Sequence, residues 1–160
     1  GCRARCPSLR DRTAAAPVIV YFDTSALGNR YVAEPDSPAV LDLWERTVLI
    51  AASQLLYAEM SATLARKRRE QPDSAPLLDR AERAFRGDWP TLYRIAVDEE
   101  INRRVDDLLT RHALRGADAV HLASALLLRD LAEDTVHFAC ADATLVDAAR
   151  AEGLQTQPPD

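Results

Sequence analysis

The sequence predicts a three-layer α/β domain built on a central, mostly parallel sheet of four to five strands. Three observations carry that prediction. Short apolar runs rich in β-formers, with no polar alternation, recur along the chain and suit strands buried on both faces. Helical segments separate these runs, which is the order expected of parallel strands joined by crossover helices. One segment, Ala117 to Leu128, is apolar nearly all round, a pattern that marks a buried helix.

The chain has 160 residues, 48% of them apolar, enough for one hydrophobic core and too short for two ordinary domains. Residues 1–16 are Arg-rich and lack the apolar stretch of a secretory signal, so they read as a disordered leader or an expression remnant. A single domain is expected over 17–160. Val18 to Phe22 is the first strand, ending at Asp23-Thr24-Ser25, three residues that all favour a helix N-cap. A helix follows towards Val32. Pro35 and Pro38 bracket a break, and Ala39, Val40, Leu43 and Trp44 mark a short amphipathic helix before a second strand at Val48 to Ala51.

Ser53 is expected to cap a longer helix reaching about Arg69, paired across Pro72 with a helix from Asp73 to Arg86. Leu92 to Val97 reads as the third strand and Asp98 to Thr110 as an acidic-started helix. After the apolar helix come a strand at Val136 to Cys140, a helix from Asp142 to Ala151 and an edge strand at Leu154 to Gln157.

Lys plus Arg number 20 against 25 Asp plus Glu, a formal net charge of -5. That balance does not advertise a nucleic-acid partner, so any such contact requires a local basic patch. Lys67 is the sole lysine, which removes most routes to Lys-based covalent chemistry. Cys2, Cys6 and Cys140 are odd in number and unlike in context, so neither a disulfide framework nor a zinc knuckle is expected, and a reducing cytoplasm fits. No run is long enough to span a membrane.

Four carboxylates stand in unusual places. Asp23 follows the first strand and Asp142 the fourth; each reads as a helix cap or as a ligand at the carboxyl edge of a parallel sheet, where crevices form. Glu59 falls on the apolar side of its helix with Leu55, Leu56 and Thr63. Unpaired there, a carboxylate costs on the order of several kcal/mol, so it needs an Arg partner, a proton or a cation. Asp118 opens the apolar helix on the side of Leu122 and Ala125, where the helix dipole alone could hold its charge. Placed together, the four would repel one another unless divalent cations neutralised them, and oxygen donors select Mg²⁺ or Mn²⁺.

Four segments in order then resemble the PIN-domain ribonucleases and, among them, the VapC-type toxins of toxin-antitoxin pairs. They are Val20 to Leu27, Tyr57 to Met60, Gly116 to Ala125 and Cys140 to Leu145. The resemblance implies a PIN-like fold with Asp23, Glu59, Asp118 and Asp142 as catalytic residues and ligands of Mg²⁺, with Mn²⁺ as substitute. Thr24 and Ser25 would support the site. It further implies an endoribonuclease acting on RNA by water activated at the cation, leaving 5′-phosphate and 3′-hydroxyl ends, commonly a homodimer restrained by a cognate antitoxin. One departure is Cys140, at a position that is often Ser or Thr in the family, which removes a hydroxyl contact.

Arg66, Lys67, Arg68 and Arg69, with Arg80, Arg83 and Arg86, form the dense basic group; Arg68 and Arg69 are candidates for RNA contact, with Arg115 as a separate one, and a solvated face is the alternative. His121, one turn past Asp118, reads as a satisfied core or supporting group. Tyr21, Trp44 and Trp89 read as core or interface, and Cys140 as a small buried hydrophobe. An aspartate-based phosphatase would need an acid where Ser25 stands and a positioned lysine. A catalytically inactive PIN-like module that binds RNA or a partner is the remaining alternative.

Overall fold

The computed structural model describes residues 18–32 and 37–157; the expected leader at 1–16 and the Pro35 break lie outside them. Among these residues five strands form one sheet: β1 Val18–Phe22, β2 Thr47–Ser53, β3 Tyr93–Ile95, β4 Val136–Ala139 and β5 Gln155–Gln157. Their spatial order is β3-β2-β1-β4-β5 and every pairing is parallel. The sheet is thus wholly parallel, at the upper end of the expected strand count.

Among the described residues seven α-helices connect the strands: α1 Thr24–Tyr31, α2 Ser37–Arg46, α3 Leu55–Glu70, α4 Ala75–Asp88, α5 Glu99–Arg111, α6 Gly116–Leu131 and α7 Ala143–Ala151. Successive side chains of a strand point to opposite faces, and β1 shows the result. Val20 and Phe22 join Leu27, Leu56, Met60, Leu64 and Phe85 in a core under α1 to α4. Tyr21, between them, joins Ile101, Leu122, Phe138 and Leu145 in a second core under α5 to α7. Both faces of the sheet are covered, so the layers are three.

Several boundaries differ from expectation for identifiable reasons. Ser53 is the last residue of β2, and its hydroxyl accepts from Leu55 N–H at 3.2 Å, with Gln54 as the formal cap. The α3–α4 turn contains a short 3₁₀ turn at Pro72–Ser74, which delays α4 to Ala75. β3 is only three residues long and lies at the edge of the sheet, where fewer backbone partners sustain a strand.

The strand order decides where chemistry can sit. From β1 the chain proceeds outward through β2 and β3, then crosses back to β4 and continues outward through β5. The reversal between β1 and β4 is a topological switch point, and the crevice of such a sheet opens outside the carboxyl ends of those strands. Asp23 follows β1, and Cys140 to Asp142 follow β4. Asp23 N–H donates to Ala139 C=O at 2.9 Å, tying the two ends together.

Candidate active site

Asp23 caps α1: its Oδ2 accepts from Ser25 N–H at 3.0 Å and from Ser25 Oγ–H at 2.6 Å. The buried Cys140 thiol lies 3.6 Å from the same oxygen. Ser25 Oγ also accepts from Ala141 N–H at 3.0 Å, so one hydroxyl bridges the ends of β1 and β4. Asp23 Oδ1, by contrast, accepts no hydrogen bond among the described residues, and His121 Nε2 lies 3.6 Å from it. Capping therefore uses one oxygen and leaves the other toward the crevice. Asp142 behaves alike, capping α7 through Oδ1, which accepts from Leu145 N–H at 3.0 Å.

Glu59 lies at the margin of the buried stripe of α3, formed by Leu56, Met60 and Leu64, rather than within it. Its side chain is 29% exposed and its partner is a histidine, not the arginine considered from sequence. Oε2 accepts from Thr24 Oγ1–H at 2.7 Å and meets His121 Nε2 at 2.5 Å. His121, 1% exposed, has its other ring nitrogen 2.9 Å from the Tyr21 hydroxyl, which accepts from Ser53 N–H at 3.1 Å. With that backbone donor in place, the consistent assignment has Tyr21 donating to Nδ1 and Nε2–H donating to Glu59. Burial, and next the charge of Asp23, push the Tyr21 phenol well above its usual range, which keeps it a donor. Burial works to raise the Glu59 carboxyl but is outweighed by the hydrogen bonds from His121 and Thr24 and by nearby positive charge, so it titrates below its usual value.

Asp118 lies in the first turn of α6, where Arg115 Nε and a terminal guanidinium nitrogen pair with its two oxygens at 2.9 and 3.4 Å. The Arg115 side chain is 80% exposed. Its hydrogen bond to Asp118 raises its proton affinity, and the charges of Asp118, Asp142 and Asp23 add to that; Arg115 in turn helps lower Glu59. One guanidinium thus lies within electrostatic reach of all four acids.

Cys140 stands against this edge. Burial, followed by the charge of Asp23, pushes its thiol up to about 12, so it is no nucleophile at neutral pH. Its sulfur accepts from Asp142 N–H at 3.3 Å, a weak version of the contact a hydroxyl would make. Of the basic candidates, Arg68 already bridges Asp79 and Glu82 at 2.6 and 2.9 Å, while Arg69 is exposed. Trp44 packs on Phe22 and beneath Arg30, and Trp89 on Phe85 and Tyr57.

No three His, Cys, Asp or Glu side chains among the described residues are already gathered to chelate one ion. The donor set nonetheless suits a hard cation. Asp23 and Asp142 each keep an oxygen without a hydrogen bond, and Mg²⁺ is content with one or two carboxylates and several waters.

The family model for the PIN domain matches residues 20–139. Ribonuclease VapC45 and Ribonuclease VapC49, from two strains of Mycobacterium tuberculosis, are each 36% identical to the chain over 112 residues, 70% of this chain and 78% of theirs. The chain belongs to the PIN-domain family, in its VapC type. A chain of a toxin-antitoxin complex from Klebsiella pneumoniae shares the PIN fold at a TM-score of 0.55 and 20% identity, over 77% of this chain and 86% of that one. Asp23, Glu59 and Asp118 fall inside the matched PIN segment, and Asp142 lies three residues beyond its end.

The sequence marks His121 as a core or supporting group, but not its link to Tyr21 and Glu59 in this candidate site. The acid and the imidazole are 62 residues apart, and no local spacing reports such a contact.

Proposed function

We propose that this PIN-domain protein is a Mg²⁺- or Mn²⁺-dependent endoribonuclease, the toxin of a toxin-antitoxin pair, acting in the cytoplasm. The observation that carries the reading is that Asp23 and Asp142 cap the helices that follow the two strands flanking the switch point, within reach of the charge of Arg115, as are Glu59 and Asp118. The relatives named ribonucleases support the substrate class, and the neighbour titled a toxin-antitoxin complex supports an antitoxin partner. No helix among the described residues is long and apolar enough to cross a membrane.

In this reading Asp23, Asp118 and Asp142 hold the cation and Glu59 holds it or orients water. When bound, the cation supplies Lewis acidity toward a phosphoryl oxygen and lowers the pKa of water. Ser25 fixes the Asp23 carboxylate, while Thr24 and His121 fix Glu59. Arg115, swung from Asp118, is placed to meet a phosphate, and the exposed Arg69 is a candidate farther along the RNA, whereas Arg68 is already paired with Asp79 and Glu82. A homodimer belongs to the same reading, supported by the apolar cleft where Tyr93 and Leu131 are exposed beside the edge strand β3.

The test is cleavage of single-stranded RNA with Mg²⁺ or Mn²⁺, compared with Asp23→Asn. Cleavage is expected to stop in EDTA and in the variant, with the far-ultraviolet circular dichroism unchanged. Activity that survives chelation overturns the mechanism, and RNA binding without cleavage replaces it with a binding module.

A further inference from the structure

A cavity of about 260 Å³ opens beside the carboxylate edge. It is walled by Ala26, Val40, Leu43, Ala139 and Cys140, with Asn29 also in its lining. Cys140 belongs to both places: its sulfur contacts Asp23 Oδ2, and its other side faces the cavity. Ala141, whose N–H donates to Ser25, lines it too. A group held in this cavity is therefore one residue away from the side chains proposed to do the chemistry.

Asn29 makes the cavity more than an apolar hollow. It is only 6% exposed, yet its amide forms no hydrogen bond among the described residues, where other buried polar side chains such as His121 and Ser124 are bonded. Among the described residues no fully enclosed side-chain nitrogen or oxygen is left without a partner, so the Asn29 amide, which lines the cavity, is not sealed off from it. Asn29 lies one turn past Ser25 on α1, and side chains so spaced share a helix face. The face that fixes Asp23 thus continues into the cavity and presents an acceptor beside a donor.

We infer that this cavity receives one nucleobase of single-stranded RNA, from a nucleotide adjoining the scissile phosphate, and that Asn29 reads its edge. The inference rests on the ribonuclease reading above. Bases of single strands can be splayed out and read on their edges, and pockets for such bases combine apolar walls with a few hydrogen-bonding groups. A primary amide offers the adjacent donor and acceptor that a base edge complements. The cavity lies just below the size range of pockets for drug-sized ligands, about 300–1,000 Å³, which suits one flat heterocycle better than a larger group. Apolar contact at the walls and the buried Asn29 amide, with Asp42, Arg46 and Gln157 also in the lining, give the site a preference among bases, which a phosphate-only surface would lack.

Two changes separate this inference from the ribonuclease reading. Ala39 is exposed at the rim of the cavity, so Ala39→Phe fills the mouth without disturbing the core. Asn29→Asp keeps the shape but replaces the donor by an acceptor. Cut sites would be mapped on a randomised single-stranded RNA for the wild type and both variants, with Mn²⁺ binding followed by calorimetry. The wild type should prefer one base at a fixed position beside the cut. Ala39→Phe should reduce that preference by about tenfold, and Asn29→Asp should redirect it to a different base, with Mn²⁺ affinity unchanged in Ala39→Phe. The same cut sites at the same relative rates in both variants would overturn the inference and leave the cavity to a protein partner. A wild type that cuts no RNA would instead remove the ribonuclease reading itself.

Discussion

Arg115 and Asp118 form a two-point ion pair at the first turn of α6, so a residue proposed to hold a cation already holds one from its own chain. A guanidinium matches a carboxylate with two parallel hydrogen bonds, but at this exposure the pair is screened by water and costs little to open. Arg115 then has two opposed effects. It competes with a divalent cation for Asp118, and once displaced it is available for an RNA phosphate. Arg115→Ala is expected to bind Mn²⁺ a few-fold more tightly by calorimetry while binding RNA more weakly, and Arg115→Lys should fall between on the first measure, since an ammonium keeps the charge without the fork. Mn²⁺ affinity that falls in Arg115→Ala would show that the arginine helps build the site instead of blocking it.

Among the described residues three α-helices are capped by an aspartate, and they show what a sequence can and cannot say about such a residue. Asp23, Asp98 and Asp142 cap α1, α5 and α7; Asp98 accepts from the N–H groups of Glu100 and Ile101 at 3.1 and 3.2 Å. All three caps are legible from residue type and the helix that follows. What separates Asp98 is the strand before it: β3 is an edge, whereas β1 and β4 meet at the switch point. Strand order depends on long-range pairing that no local pattern encodes, so the sequence alone cannot separate the positions of Asp23 and Asp142 from that of Asp98. The buried strands and the apolar α6 were readable because a fully covered strand or helix loses its polar face. A cap can be kept while a ligand is removed, because Asn caps as well as Asp. Asp142→Asn should therefore retain its urea midpoint and lose Mn²⁺ binding. Asp98→Ala should lose about 1 kcal/mol of stability with Mn²⁺ binding and cleavage intact. Full Mn²⁺ affinity in Asp142→Asn would reduce that residue to a cap.

Across the whole molecule, a formal net charge of -5 and an acidic edge would repel RNA unless attraction is concentrated elsewhere. The α3–α4 hairpin carries the dense basic group, although fewer of its charges are available than the sequence suggests. Arg68 is held by Asp79 and Glu82, and Arg86 by Glu82. Arg66, Arg69, Arg80 and Arg83 are exposed and make no ion pair among the described residues. Arg69 lies ten residues past Glu59 on α3, roughly 15 Å along the helix axis, a distance that RNA leaving the carboxylate edge can cover. Each phosphate neutralised on a single strand releases counterions and contributes about 0.7 to the slope of log K against log salt. In the Asp23→Asn background, where RNA stays intact, the Arg66→Ala, Arg69→Ala double variant should lower the magnitude of that slope by about 1.4, read by fluorescence anisotropy of a labelled single strand. Arg68→Ala should leave the slope nearly unchanged, because its charge is already matched within the protein. If instead the double variant keeps the wild-type slope, the hairpin is a solvated face, and RNA attraction must come from Arg115 and the cation at the carboxylate edge alone.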